Sequence, residues 1–403
     1  MGDALDCLAK VTLRNHAFGV DVHPSQKIFA AGLITGQLKV FSWTSGTSGL
    51  LVEQCASARP HKDACRAVRF SGDGASVFSV GGDRVLHQRD LTSNKPTWRK
   101  PKAHHAPINA LTLLDRIGAA TGDDDGSVVC WDLRSSSAAL KFKENEDYIA
   151  DLVYVEQVKN NRNTLVAAGG DGHLSVFDLR AGRLWARSDA QEDELLCVAL
   201  VKEGRKLLCG TQMGTVGIFS WGDFGDVSDR LLGHPASIDC MLAHGEDMVL
   251  TGSSDGLIRA VSVHPNKVLG VVGQHGEEAT VESMATDSAG EVLVSCAYDQ
   301  TIRLWDVGYL NDAASSDNEK EMPMPTRQSA GALDASDGDE SDGGDDNGGN
   351  EAGCQRGKAA ATSSLQGAAY DDDAGDQQKR KRPKQLVHKG AAIKLGTDFF
   401  ADL

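Results

Sequence analysis

A short turn-and-strand pattern recurs seven times in the first three quarters of this chain. Aligned on the residue before each returning strand, the copies fall at Gly36, Arg84, Gly126, Gly172, Gly214, Gly256 and Gln300. Successive copies lie 42 to 48 residues apart. A unit of that length holds four short strands and cannot bury its apolar faces alone, so copies have to stack on one another. No other property of the sequence narrows the fold as far.

The clearest copy is TGDDDGSVVCWDLR, residues 121–134. Residues 119–121 end one strand, 122–126 make a tight acidic turn, and 127–133 return as the next strand. Gly126 gives the backbone freedom that positive φ demands, and aspartates tolerate left-handed or self-bonded turns. The returning strand closes on Trp131-Asp132, the dipeptide that marks a blade of a β-propeller. The other copies close on Phe-Ser-Trp (41–43), Arg-Asp-Leu (89–91), Phe-Asp-Leu-Arg (177–180), Phe-Ser-Trp (219–221), Val-Ser-Val (261–263) and Trp-Asp-Val (305–307). Only the third and seventh carry the full signature, but the constant spacing predicts an all-β, seven-bladed WD-repeat propeller over residues 1–310. Within the third blade, Trp131, Thr121, the turn aspartate Asp125 and the upstream His104 are expected to form a buried structural hydrogen-bond network. Such a network fixes the strands only if every member is satisfied.

A propeller must close its ring or leave an open sheet edge. The seventh repeat supplies strands near 281–286, 291–297 and 301–307, after which the chain turns polar. Residues 7–14 (CLAKVTLR) form a lone strand ahead of the first blade, and they are expected to become the outer strand of the seventh. Blade six predicts strands over 238–244, 248–253, 257–263 and 267–273.

Several patterns imitate chemistry. His61, His104 and His234 each stand four residues before a first strand, whereas His275 stands six before Val281. One histidine per blade, far apart in sequence, reads as hydrogen bonding rather than metal ligation. Gly252-Ser253-Ser254-Asp255-Gly256 matches a hydrolase elbow, but that elbow needs a strand-to-helix turn and this one joins two strands. Residues 123–125 lack the ligand spacing of a calcium loop, and no Gly-rich phosphate loop with its Lys occurs. The expectation is a non-enzymatic protein without cofactor or metal.

Charge and cysteines bound the environment. Residues 1–310 hold 30 basic and 39 acidic side chains, and 311–403 hold 11 and 18. Neither part resembles a phosphate-neutralising surface, so direct nucleic-acid binding is not expected. The nine cysteines are odd in number and include no Cys-x-x-Cys, and Cys65, Cys130, Cys197, Cys209 and Cys240 sit among strand-like apolar residues. No apolar run approaches 18 residues and no signal peptide opens the chain, so a reduced, non-membrane compartment is expected.

After Tyr309 the composition shifts. Residues 311–378 are rich in Asp, Glu, Ser, Gly and Ala, too polar to offset the entropy of ordering. The run DASDGDESDGGDD (334–346) reads as an acidic interaction tail or a solvated linker, and Ser316 and Ser336 each precede an acid by three residues. The last part, 379–403, opens with KRKRPK. Lys379, Arg380, Lys381, Arg382 and Lys384 read as a nuclear-import signal or a polyanion patch. It ends in GTDFFADL, where Phe399, Phe400 and Leu403 suggest a docking peptide or a segment that folds back on the propeller.

The stretch FGVDVHPSQKIFAAGLITGQLKVFSW (18–43) resembles the first blade of the WD-repeat-containing protein 55 family. The seven-blade plan, acidic tail, basic cluster and terminal Asp-Phe-Phe-Ala-Asp-Leu extend the likeness over nearly the whole chain. The resemblance implies a nuclear and nucleolar propeller needed for ribosomal RNA processing, a monomer among pre-ribosomal assembly factors. Plant relatives of this family also resemble substrate receptors of cullin–RING ubiquitin ligases. Their adaptor-binding Trp-Asp-x-Arg box matches Trp131, Asp132 and Arg134, and Arg180 closes a second copy that lacks the Trp.

Overall fold

The computed structural model describes residues 7–313 except 47–48, 116–117, 136 and 158–161. Within these residues, 28 strands form seven antiparallel sheets of four, and the one helix is the short Tyr309–Ala313. The seven sheets are the blades of a closed ring. In the third, Ile108–Leu114, Gly118–Asp123, Ser127–Asp132 and Ser137–Lys143 pair in sequence order.

Side chains on a strand alternate between its two faces, and here both faces are covered. Val128 and Cys130 pack into the seam with blade four, while Val129 and Trp131 pack into the seam with blade two. That double burial explains why the strands read as continuous apolar runs rather than as alternating ones. Seven hydrophobic clusters result among the described residues, one in each seam between blades.

The first strand of every blade lies innermost and touches the first strands of both neighbours. Hydrogen bonds also cross these seams: Phe70 N donates to Asp21 Oδ2 at 2.6 Å and Val198 N to Asp151 Oδ2 at 3.1 Å. Between the seventh and first blades, Val20 N donates to Ser283 Oγ at 3.2 Å.

Ring closure follows the sequence expectation. Ala9–Thr12 pairs antiparallel with Thr301–Asp306, in the register Ala9 to Leu304 and Thr12 to Thr301. It is the outermost strand of the seventh sheet. Leu8, Ala9 and Val11 pack against the seam between blades seven and one, where Leu13 is buried outright. Blade six has strands Ile238–Ala243, Met248–Ser253, Leu257–Ser262 and Lys267–Gln274, within a residue of the expected bounds.

All seven aligned turn residues have positive φ, from 61° at Gln300 to 81° at Gly256. Five are glycines, which adopt that conformation without strain. Arg84 (φ 62°) and Gln300 hold it against the usual steric cost, of about 1–2 kcal/mol. The turn is therefore a property of the repeat and not of glycine.

Because strands alternate in direction, the ring has two unlike ends. One carries the turns between second and third strands together with the loops between blades. His61, His104, His234 and His275 lie there, so it is called the histidine face below. The opposite face carries the remaining hairpins, including residues 133–135 and 179–182.

Candidate protein-interaction surface

On the histidine face, five of the seven blades hold a small network where the between-blade loop meets the turn. In blade three, Trp131 Nε1 donates to Thr121 Oγ1 at 2.8 Å, and His104 Nε2 lies 2.6 Å from the same oxygen. The imidazole's Nδ1 lies 2.7 Å from a carboxylate, which belongs to Asp123 and not to Asp125. Asp123 ends its strand with its side chain turned inward. Its Oδ1 also accepts from Asp125 N (3.1 Å) and Ser127 N (2.8 Å), which closes the turn. Asp125 sits at the exposed tip and takes no part through its side chain. Burial would raise the Asp123 carboxyl, but the His104 ring and these amides hold it below the usual carboxylate range.

Other blades build the network from what they have. In blade seven, Trp305 Nε1 and His275 Nε2 both reach Ser295 Oγ (2.8 and 2.7 Å), and Asp299 faces His275 Nδ1 at 3.3 Å. His275 thus joins despite its offset of six, because its loop carries an extra bend with Glu278 at φ 54°. In blade two, His61 bridges Ser79 Oγ and Asp83 Oδ1, both at 2.9 Å. His234 reaches Thr251 Oγ1 at 2.8 Å, and burial, then the Arg259 charge, pushes its pKa down to about 4. Sequence reasoning passed over blade four, where Asn145 stands four residues before Ile149 and its Nδ2 donates to Asp171 Oδ1 at 2.9 Å. The equal offset was the available signal.

Large exposed apolar side chains are few, and they are not scattered. Of the six among the described residues, Ile34, Met213, Leu232 and Tyr298 lie on the histidine face. Met213 (77 %) and Leu232 (74 %) are the most open. Tyr298 stacks on His16 with ring centroids 4.0 Å apart, and Ile34 N donates to His16 O at 2.9 Å, so one ring joins two blades here. Exposed apolar side chains gathered on one face are the kind of surface that other chains use for binding.

Charge on this face is divided. The loops 124–126, 144–148, 170–173 and 188–194 hold ten Asp or Glu and no Lys or Arg. Across the face, Arg14, Arg59, Lys62, Arg84 and Lys102 are all exposed. Asp63 and Asp83 among them are engaged by neighbouring amides.

The first strands enclose a central cavity of about 440 Å³, whose wall includes Arg66, Arg69, Asp151, Asp239 and Glu282. Burial, then the neighbouring Asp239, pushes the Glu282 carboxyl up to about 7. Among the described residues no group of three His, Cys, Asp or Glu is placed to hold a metal.

The Trp-Asp-x-Arg box lies at the opposite face, and the structure corrects one part of it. Trp131 is 2 % exposed and fills the seam, so it cannot touch a partner. Asp132 is turned onto Arg134, accepting from its backbone N at 2.9 Å and its Nε at 3.2 Å. Arg134 remains 46 % exposed and borders a cleft of about 260 Å³ between blades two and three. Arg180 is half-buried at the matching place in blade four. Lys379, Arg380, Lys381, Arg382, Lys384, Phe399, Phe400 and Leu403 lie outside the described residues.

Comparison with known proteins agrees with this architecture. Residues 8–310 match the WDR55 family model. WD repeat-containing protein 55 of Homo sapiens is 38 % identical over 307 residues, covering 76 % of this chain and 78 % of that protein. The Arabidopsis thaliana protein of the same name is 36 % identical over 74 % of this chain and 82 % of its own. A WD repeat-containing protein JIP5 from Coprinopsis cinerea is 36 % identical over 78 % of each. The matched region coincides with the ring, from the closing strand to the end of the seventh blade, and the chain belongs to the WDR55 family of WD-repeat scaffold proteins.

Proposed function

We propose that this propeller is a non-enzymatic platform for protein–protein interactions in nucleolar ribosome biogenesis, acting in ribosomal RNA processing. The observation that carries the platform is the gathering of Ile34, Met213, Leu232 and Tyr298 on one face of a rigid ring. Fold alone does not specify a process, and the ribosomal assignment rests on the family likeness. The basic run Lys379, Arg380, Lys381, Arg382 and Lys384 brings the protein into the nucleus, and its partners are pre-ribosomal assembly factors. The acidic balance of the ring argues for contacts with proteins rather than directly with RNA.

A second reading has its own support. Arg134 stands exposed beside a cleft on the opposite face, where its planar guanidinium suits a partner carboxylate. That arrangement suits a substrate receptor of a cullin–RING ubiquitin ligase. Affinity purification of the full-length protein with mass spectrometry separates the two. Recovery of pre-ribosomal factors supports the platform. Recovery of ligase adaptor subunits, lost in Arg134→Ala, supports the receptor and overturns the first reading.

A further inference from the structure

The central channel sorts its charges by side. Its cavity of about 440 Å³ is walled by the second to fourth residues of the seven first strands, with Arg69 beyond them. Those residues directly follow the between-blade loops, so the cavity lies at the histidine-face end of the channel. Blades two and three set Arg66 and Asn109 at the second place, and blades six and seven set Asp239 and Glu282 there. Phe18 and Leu196 stand between the two pairs.

The basic side is satisfied from within the protein. Arg66 donates to Asn109 Oδ1 and lies 2.9 Å from Asp124 Oδ1. Arg69 donates to Val68 O at 2.8 Å. Burial pushes the Asp21 and Asp151 carboxyls up, and the Arg69 charge beside them draws both back. The acidic side has no such partner. Asp239 and Glu282 are half-buried, and burial pushes both carboxyls up. Asp239 accepts from Ser237 Oγ at 3.0 Å, but neither carboxylate has a cation beside it among the described residues. The nearby thiols of Cys197 and Cys240 are spent on Ile238 O and Val281 O. A charge withdrawn from water without a partner is costly, and a cation in the cavity would remove that cost.

We propose that the cavity seats an arginine side chain of a partner protein, which enters from the histidine face and lies between Asp239 and Glu282. A guanidinium offers five donors in a planar fork, enough to bridge two carboxylates, and it leaves water more readily than an ammonium. Two carboxylates supply too few oxygens for calcium or magnesium. The volume falls within the range of ligand pockets, about 300–1,000 Å³. The rim favours a group that arrives on a chain. Met213, 77 % exposed, stands on the turn between the second and third strands of blade five. That turn lies about 7 Å outside the blade's first strand, a distance that two or three extended residues cover. An apolar residue near the arginine therefore reaches Met213, whose backbone N donates to Asp193 Oδ2 at 2.6 Å. Asp189 and Glu192 stay exposed beside it, whereas Arg187 is already paired with Asp171 at 3.2 Å. That the arginine belongs to a protein rests on the platform reading of the histidine face.

Fluorescence polarisation on the full-length protein tests this with a labelled peptide, Gly-Leu-Gly-Arg-Gly-Leu-Gly, and its twin with citrulline, which keeps the shape of arginine without the charge. The arginine peptide should bind at least tenfold more tightly. Glu282→Gln and Asp239→Asn should each shrink that preference at least fivefold, and Arg134→Ala on the opposite face should leave it unchanged. A second reading needs no substitution in the protein. With photo-leucine in place of either leucine, the illuminated peptide should label Leu196, Met213 or Met241. Equal affinity of the two peptides, an unchanged preference in Glu282→Gln, or labelling confined to the opposite face overturns the seat. Tighter binding of spermidine or of free arginine amide than of the peptide overturns the assignment to a partner chain. Recovery of pre-ribosomal factors by affinity purification without any peptide preference refutes the seat alone, whereas recovery of no protein partner refutes the platform.

Discussion

His104 Nδ1 lies 2.7 Å from Asp123 Oδ2, and both side chains are about 1 % exposed. That contact sits beneath the most regular turn of the chain, and it uses the acid two places before the one the repeat suggests. Blades two and seven draw on Asp83 and Asp299, each directly before the aligned turn residue, where blade three has Asp125. At the place of Asp123 those blades have the small Gly81 and Ala297. Blade three alone offers a carboxylate already buried, and the imidazole takes it.

A direct comparison of the two acids follows. Asp123→Ala removes the partner of a buried imidazole and the acceptor of two turn amides, so a loss of about 2–4 kcal/mol is expected. Asp125→Ala at the exposed tip should cost less than about 0.5 kcal/mol. Urea unfolding of both variants measures the difference, and equal losses would return the role to Asp125. Trp131→Ala belongs to the same seam and should cost about 3–5 kcal/mol.

The closing strand gives a second expectation. Removing residues 7–14 exposes the ladder edge of Thr301–Asp306 and opens the seam beneath Leu13. A loss of at least about 3 kcal/mol is expected from the buried apolar side chains alone. Calorimetry should show a melting temperature lower by several degrees. An unchanged melting temperature would mean that the ring closes without this strand.

Glu282 should weaken the fold at neutral pH. Its folded pKa, raised to about 7 by burial and Asp239, exceeds its unfolded value near 4.5. Its contribution is therefore fully present below about pH 4.5 and is lost as pH rises through about 7. Glu282→Gln should then leave stability unchanged at pH 4 and raise it at pH 8 by an amount on the order of 3 kcal/mol at most. His234, with its folded pKa lowered to about 4, acts in the other sense. Its stabilising effect is full above about pH 6.5 and fades towards pH 4, so the variant must be compared with the unchanged protein at each pH. Parallel unfolding curves at pH 4 and 8, with no difference between them, would place Glu282 in contact with solvent.

Most of the architecture was legible because a repeat announces itself through spacing. The 42-to-48-residue period located all seven turns, including Arg84 and Gln300, where no glycine marks the left-handed backbone. The closing strand was legible because an unpaired sheet edge is costly and residues 7–14 were the only unassigned apolar segment nearby. The networks were harder to read, since a hydrogen bond depends on side-chain direction, which spacing does not carry. For that reason Asp123 was missed, His275 was set apart by a two-residue loop extension, and Asn145 went unnoticed in a histidine's place. Trp131 was read as both network member and surface contact, and only its burial decides between them.

The basic cluster carries a prediction of location. Replacing Lys379, Arg380, Lys381 and Arg382 with alanine should move a fluorescently tagged protein towards the cytoplasm and abolish nucleolar enrichment, without altering the melting temperature of the ring. Import receptors read Lys and Arg in extended segments, and Pro383 disfavours a helix there. Retention of the variant in nucleoli would assign localisation to partners held by the propeller.

The most direct measurement of the platform is the fate of ribosomal RNA precursors in cells depleted of the protein. Pulse-labelled precursors should accumulate uncleaved, and the full-length protein should restore their processing. A Met213→Glu, Tyr298→Glu variant that melts like the unchanged protein should not, because it places charge in the exposed apolar sites of the histidine face. Precursor processing at the normal rate after depletion would contradict the ribosomal role, and full rescue by the double variant would contradict the face assigned to it.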